Sequence, residues 1–319
     1  MTFHPDSLPD LTGKVYIVQA GTQAYRSGYY TVARLTEHGA HVYMCARSPT
    51  KGNTAIASIK TLYPHANITL LEIDHLSLSS VVSAANLFLA KETSLHGLVN
   101  NAGIMATPLE ISKDGHEAQW QTNYLAHWVF TSHLLPIMLS TSKTLPPGSV
   151  RIVNLTSAGH YSAPKEGINF ADASLRNGDN MTRYGQSKLA NALHAKILNR
   201  LYGPWSLAAT AGKGEIWTAA VHPGLVESNL GTRAEFPTTM KVILAIYRAV
   251  GGKMMDGDKG SWTSVFCVAS PEMKKELSGT YFQRIAEAGW QSGMAKNIKL
   301  AERLEEWTRE EMKKEGWVK

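Results

Sequence analysis

KVYIVQAGTQAYRSGYYTVARLTEHGAHVYMCA, residues Lys14–Ala46, is the stretch on which the fold turns. Lys14–Ala20 is a short apolar, β-branched run. A glycine-bearing segment follows, then a helix-like stretch from Ser27 to His38 that Gly39 is suited to stop. Ala40–Ala46 is a second apolar run. Working outward, Ile68–Ile73 (ITLLEI), His96–Asn100 (HGLVN), Val150–Thr156, Glu215–Val221 and Thr280–Phe282 read as further strands. Helical patterns lie at Gly52–Leu62, Leu78–Lys91, Glu117–Ser140 and Thr182–Tyr202. Strands that are nearly all apolar and alternate with helices predict a parallel sheet covered on both faces. Right-handed crossovers then give a single doubly wound α/β domain of Rossmann type over residues 1–319, with a central sheet of about seven strands. Leu207–Gly214 reads as a small-residue loop. From Gln291 onward the chain reads as helical, with Leu300, Leu304, Trp307 and Met312 forming a docking stripe.

Composition narrows the function. With 44% hydrophobic and 18% charged residues, the chain has the makings of a large core, which excludes disorder or coiled coil as its main feature. The formal net charge of +6 is spread without a basic run, so no nucleic-acid partner is indicated, while an anionic ligand is compatible. Cys45 and Cys267 form neither a disulfide framework nor a CxxC, which suits a reducing compartment. Met1–Leu11 has no apolar signal region. The longest apolar stretch, Met240–Val250, is interrupted by Lys241 and Arg248 and falls short of the roughly 20 residues of a membrane span. A cytoplasmic location is the expectation. No GxSxG, P-loop, HExxH or clustered metal ligands occur, so hydrolase, nucleotidase and metal chemistry have no motif to rest on.

Five motifs carry chemistry. Tyr184-Gly-Gln-Ser-Lys188 puts a tyrosine and a lysine on one helix face, where a cation would favour the tyrosinate and lower its pKa toward the range needed for proton exchange. Tyr161-Ser-Ala-Pro-Lys165 has the same spacing, but Pro164 opposes a continuous helix, so it is taken as a decoy. Arg151–Gly159 (RIVNLTSAG) ends a strand in Thr156 and Ser157, and ligands of parallel sheets bind beyond the carboxyl ends of strands. Leu98–Gly103 (LVNNAG) ends a strand in amides and small residues that allow close ligand approach. Gln119–His127 holds Asn123 inside a helical stretch, where asparagine is either exposed or used. Val221-His-Pro-Gly224 closes another strand, and His160 and His222 flank the expected site as polar neighbours.

In this order the motifs resemble the short-chain dehydrogenase/reductase family, closely from Leu11 to Ser228 and loosely beyond. The 27-residue step from Ser157 to Tyr184 is longer than the commonest family spacing and is similar to the retinol-dehydrogenase-like branch, with Ala158–Arg183 as the insertion. The resemblance implies Tyr184 as proton donor or acceptor, Lys188 on the nicotinamide ribose, Ser157 on the substrate oxygen, and Asn123 anchoring a water relay. It implies Asn100, Ala102 and Gly103 near the adenine ribose, Asp74 at the adenine beside His75, and Pro223, Gly224, Val226 and Ser228 at the nicotinamide. Substrate choice is expected from the insertion, from Glu227–Met255 as a lid segment, and from the C-terminal region.

One part departs from the family pattern. The loop Ala20–Gly28 (AGTQAYRSG) has Gly21 and Gly28 seven apart rather than six, and Arg26 replaces the middle glycine. Either the loop bulges and Arg26 meets a phosphate, or dinucleotide binding is weakened and the fold serves a non-redox step such as isomerisation or cyclisation. The intact Asn123, Ser157, Tyr184 and Lys188 set argues against a mere cofactor sensor. Arg47, just after the second strand and near Lys51, stands where an arginine accommodates a 2′-phosphate, so NADP(H) is the expected cofactor. The expected activity is interconversion of a carbonyl and an alcohol on a small lipophilic or aromatic molecule in specialised metabolism, with a homodimer as one assembly open to the chain.

Overall fold

The computed structural model describes residues 3–19, 27–226 and 253–319. Gly21, Arg26 and Ser228, with the glycine loop and most of the Glu227–Met255 segment, lie outside the described residues.

The strands are β1 Val15–Gln19, β2 His41–Ala46, β3 Asn67–Glu72, β4 Gly97–Asn100, β5 Arg151–Leu155, β6 Trp217–His222, β7 Thr280–Gln283 and β8 Glu287–Ala288. They form one sheet in the order β3-β2-β1-β4-β5-β6-β7-β8, parallel except for β8. The chain moves outward from β1 to β3, then returns to lay β4 on the other side of β1. That reversal opens a crevice at the carboxyl ends of β1 and β4, the place where doubly wound sheets bind ligands.

Alternation along the strands fills both faces, since successive side chains point to opposite sides. Val15 and Ile17 of β1, Leu98 of β4 and Ile152 of β5 join one core layer. It is completed by α3 (Leu78–Leu89), α4 (Ala126–Lys143), α5 (Asn180–Tyr202) and the C-terminal helix α7 (Ile298–Lys314). Tyr16, Val18, Val99 and Val153 join the other, with α1 (Ser27–Glu37), α2 (Pro49–Leu62) and α6 (Gly257–Ala269). Capping side chains define the starts. Ser48 accepts from Lys51 N before α2, Ser77 from Ser80 N before α3, and Asp179 from Met181 N and Thr182 N before α5.

The structure adds detail at several places. The sheet gains an eighth strand, the two-residue β8, which no hydrophobic run signals. The helix expected over Glu117–Ser140 runs without interruption from Ala118 into α4, with a π-helical turn at Gln121–Leu125. Leu207–Gly214 contains the helical turn Leu207–Thr210, capped by Ser206. The insertion Ala158–Arg183 is anchored at its base: Ile168 is buried, Phe170 meets Trp307 edge-on, and Asn169 N donates to Gln186 Oε1 at 2.8 Å. The C-terminal stripe docks as expected, with Leu300, Leu304 and Met312 buried. Thr308 adds a 2.7 Å hydroxyl contact to Tyr124.

Candidate active site

The carboxyl ends of β4, β5 and β6 and the first turns of α5 converge on one crevice. Beneath it runs a buried row of amides. Gln19 Nε2 donates to Asn100 Oδ1 at 3.1 Å, and Asn100 Nδ2 donates to Asn154 Oδ1 at 2.8 Å and to Thr131 Oγ1 at 3.1 Å. Asn100 and Asn154 stand opposite each other in the parallel register. The row thus links three strands, and its ends are satisfied by His75, Asn191 and His194. Asn100 is fully buried and supports the sheet, so its side chain is spent inside the row. The side chain that reaches the crevice is its neighbour Asn101, whose Nδ2 donates to Gln19 O at 2.9 Å while Oδ1 accepts from Ser27 Oγ at 3.4 Å. From the sequence alone, either asparagine of LVNNAG could face outward.

Asn123 sits in the π-helical turn, a distortion often found at functional sites. It grips Ile104 like a second strand: Ile104 N donates to Oδ1 at 2.8 Å and Nδ2 donates to Ile104 O at 3.0 Å. The same Nδ2 donates to Ser187 Oγ at 2.9 Å, which ties the loop after β4 to α5. Helix α5 is stitched in turn to the end of β5. Thr156 Oγ1 donates to Lys188 O at 2.6 Å, Lys188 Nζ to Leu155 O at 3.0 Å, and Asn191 Nδ2 to Leu155 O at 2.9 Å.

Tyr184 and Lys188 therefore share a face of α5, with Lys188 Nζ 5.9 Å from the centre of the tyrosine ring. Ser157 comes from the β5 side. Its Oγ accepts from Gly159 N at 3.0 Å, which leaves the hydroxyl proton free for Tyr184 or a ligand. The expected lowering of the Tyr184 pKa by Lys188 is not what this geometry produces. Burial pushes the tyrosine up to about 12, and the hydrogen bond with Ser157 pulls it back only in part. Burial also brings Lys188 down to about 8, so the lysine is the more readily titrated of the two. Gly185 explains how the elements come so close: a Cβ there would stand 2.6 Å from Ala163 N and from the Ser162 carbonyl carbon. Both histidines are held neutral by burial. His222 is depressed to about 4, and among the described residues its Nδ1 has no hydrogen-bond partner. His160 bonds through both ring nitrogens.

Tyr161 takes no part in this constellation. It lies on the 3₁₀ turn Ala158–Ser162 and is 57% exposed, whereas Tyr184 is 3% exposed.

The sequence pattern described as short chain dehydrogenase matches residues 24–236. A short-chain dehydrogenase/reductase, drtF, of Aspergillus calidoustus is 51% identical over 312 residues, covering 97% of each chain. This chain is a short-chain dehydrogenase/reductase. An uncharacterized oxidoreductase of Schizosaccharomyces pombe is 38% identical over 89% of this chain and 80% of its own length. In fold, a crystal structure of an uncharacterized protein from Mycobacterium paratuberculosis superposes with a TM-score of 0.72, at 24% identity and 98% coverage of both chains. Members of this family are oxidoreductases that use nicotinamide cofactors.

The described residues of this short-chain dehydrogenase/reductase fit such a cofactor. Lys188 uses one N–H on Leu155 O and has two more to offer hydroxyl groups. Gly103 lies beside Asn123 and Lys188, where a Cβ would come within 3.2 Å of Asn123 Oδ1 and 3.3 Å of Lys188 Nζ. Ala102 precedes it on the half-buried floor of the crevice. Asp74 Oδ1 accepts from Leu76 N at 3.0 Å, and the adjacent His75 bonds Gln19 Oε1 at 2.8 Å, which fixes the loop after β3. Pro223 and Gly224 follow β6, and Val226 bridges to Met255. Arg47 is exposed at the end of β2, with no hydrogen bond or ion pair to any described residue.

Proposed function

We propose that the protein is an NADP(H)-dependent oxidoreductase that interconverts a carbonyl and an alcohol, with Tyr184 moving the proton at the substrate oxygen. The observation that carries this reading is the convergence of Ser157, Tyr184 and Lys188 at the carboxyl end of β5, with Asn123 locking the loop opposite. When bound, the nicotinamide supplies or receives the hydride. The chain's own residues do the rest. Ser157 donates its free hydroxyl proton to the substrate oxygen and orients it. Tyr184 gives its proton to that oxygen in reduction, or takes it back in oxidation. Lys188 binds ribose hydroxyls and places a cation near the tyrosine as its charge develops. A tyrosine held protonated by burial is suited to the reductive direction at neutral pH.

The substrate class follows from the walls of the site. Tyr184 belongs to a small apolar cluster with Ala106 and Met181, and Met105 packs against it. Methionines give a deformable apolar wall. A lipophilic or aromatic carbonyl fits that surface, in keeping with a cytoplasmic role in specialised metabolism.

Arg47 is the candidate for the 2′-phosphate, with Lys51 on the first turn of α2 beside it. Calorimetric titration tests both cofactor and assignment. NADPH should bind at micromolar concentration or tighter. Arg47→Ala should weaken NADPH by the roughly 1.5–3 kcal/mol of a charge-assisted contact and leave NADH nearly unchanged. Equal losses for the two cofactors would remove Arg47 from the site. No binding at ~1 mM would replace the redox reading with non-redox acid–base chemistry at Tyr184, because hydride transfer needs the nicotinamide held against the substrate.

A further inference from the structure

His160 stands three residues past Ser157, and its imidazole is buried between two parts of the chain distant in sequence. Nδ1 lies 2.7 Å from the carbonyl oxygen of Ser157. Nε2 lies 3.0 Å from the backbone N of Ser292, which donates to it. A neutral imidazole has one N–H and one lone pair, so these partners fix the tautomer: Nδ1 carries the proton and Nε2 accepts. The backbone N of His160 also donates to the Ser157 carbonyl, at 3.0 Å. One residue thus grips a single carbonyl twice, through main chain and side chain, and sets the peptide plane that follows Ser157.

The other anchor is equally well built. The chain leaves β7, turns back through β8, and is pinned where Gly289 N donates to Tyr281 O at 2.7 Å. Three residues later Ser292 meets His160, and the Ser292 hydroxyl accepts from Ala295 N at 3.2 Å. The groups facing the imidazole are Tyr161, with ring centres 4.3 Å apart, Tyr281, at 5.3 Å, and the neutral His222. Among the described residues no carboxylate pairs with it. Nothing in this setting favours a charged imidazole, and a proton on Nε2 would set two donors against each other at Ser292.

We propose that His160 is a positioning residue: its imidazole, whose tautomer is fixed by the Ser292 N–H, donates from Nδ1 to the Ser157 carbonyl, and this bond holds the Ser157 hydroxyl in register with Tyr184. This rests on the reading above that Ser157 and Tyr184 act together on the substrate oxygen. The clamp works through Ser157 and touches neither substrate nor cofactor. Its two arms can be separated, because the amide of asparagine reaches the place of Nδ1 and that of glutamine the place of Nε2. Asparagine keeps the donor to the Ser157 carbonyl and loses Ser292; glutamine does the reverse.

The test uses the full chain labelled with ¹³C-tyrosine, with the Tyr184 Cζ resonance assigned by its loss in Tyr184→Phe. That resonance reports the Ser157–Tyr184 hydrogen bond and needs neither cofactor nor turnover. It should stay at the wild-type position in His160→Asn and move in His160→Gln and His160→Leu. Nitrogen NMR of the wild-type imidazole should show the proton on Nδ1 at neutral pH. With NADPH and an aromatic ketone as probe, kcat of His160→Asn should remain within about threefold of wild type. That of His160→Gln should fall about tenfold, with KM little changed. Equal Tyr184 resonances in the asparagine and glutamine variants overturn the proposal, as does an imidazole protonated on Nε2. If the leucine variant fails to fold, the asparagine–glutamine pair still decides. Should the redox reading fail in titration with NADPH, the resonance test retains its meaning, since it measures only the geometry of Ser157 and Tyr184.

Discussion

Tyr161-Ser-Ala-Pro-Lys165 and Tyr184-Gly-Gln-Ser-Lys188 carry the same spacing and have opposite fates. The first begins on a 3₁₀ turn that ends at Ser162, and Ala163 leaves it in an extended conformation with ψ 158°. Its tyrosine and lysine are both exposed. The second lies in a helix buried over most of its length, and its lysine and tyrosine meet on one face beside Ser157. A spacing of four is a contact only where the backbone is helical. It is chemistry only where burial removes competing water.

The largest effect should separate the two tyrosines. Tyr184→Phe should lower kcat by ~10²–10⁴, the range for a lost general acid, with NADPH affinity little changed. Tyr161→Phe, a surface change, should alter stability by less than ~0.5 kcal/mol and turnover little. Steady-state oxidation of NADPH with an aromatic ketone reads both. Comparable losses would reverse the assignment of the two copies.

The lysine of the buried copy comes next, in how stability depends on pH. Lys188 titrates near 8 in the folded chain against an ordinary value of 10.5. The unfolded chain therefore holds this proton more tightly. The resulting penalty is complete below pH 8 and fades as pH rises toward 10.5, so stability rises through that window. Tyr184 acts the other way above its ordinary value of 10, because the folded phenol keeps its proton up to about 12. Urea unfolding of wild type and Lys188→Met between pH 7 and 10 should show the difference, of order 3 kcal/mol at most. A flat difference for Lys188→Met would mean the buried amine stays fully charged.

The second positions come third. Gly185 lies against the backbone of Ser162 and Ala163, so Gly185→Ala forces either α5 or the 3₁₀ turn to shift. It should cost ~1–3 kcal/mol by overpacking, with activity falling because Tyr184 moves too. Its counterpart Ser162 is exposed, and Ser162→Ala should be nearly silent in the same thermal melts. The smallest effect belongs to Pro164. Pro164→Ala should cost only ~0.4–1 kcal/mol through the unfolded state and should not make the first copy active. Turnover surviving in the double variant Pro164→Ala, Tyr184→Phe would show that proline alone had silenced it.

How much could be read without coordinates varied with the physics of each segment. Strands such as Val15–Gln19 and Trp217–His222 were legible because strands buried on both faces are apolar throughout. Helix α6, Gly257–Ala269, was not singled out, since burial on most sides leaves it no polar stripe to mark a period. The π-helical turn at Gln121–Leu125 was illegible for a related reason: Asn123 within it pairs across space with Ile104, nineteen positions away. The expectation for Tyr184 erred in sign because spacing reveals a nearby lysine, while the desolvation that raises the phenol depends on everything packed around the ring.

The sequence by itself determined the alternation of strands and helices, the order of the motifs and the family to which they belong. These rest on local periodicity and on residue types that only certain backbones and chemistries require. The tertiary structure decided which of two identical spacings is a pair, which of two adjacent asparagines faces the crevice, and which nitrogen of His160 carries its proton. Each of those depends on a partner far along the chain: Lys188 reaches Leu155, Asn101 reaches Gln19, and His160 reaches Ser292. A hydrogen bond is a statement about two positions at once, and a linear pattern specifies only one of them until the sheet has brought the other within about 3 Å.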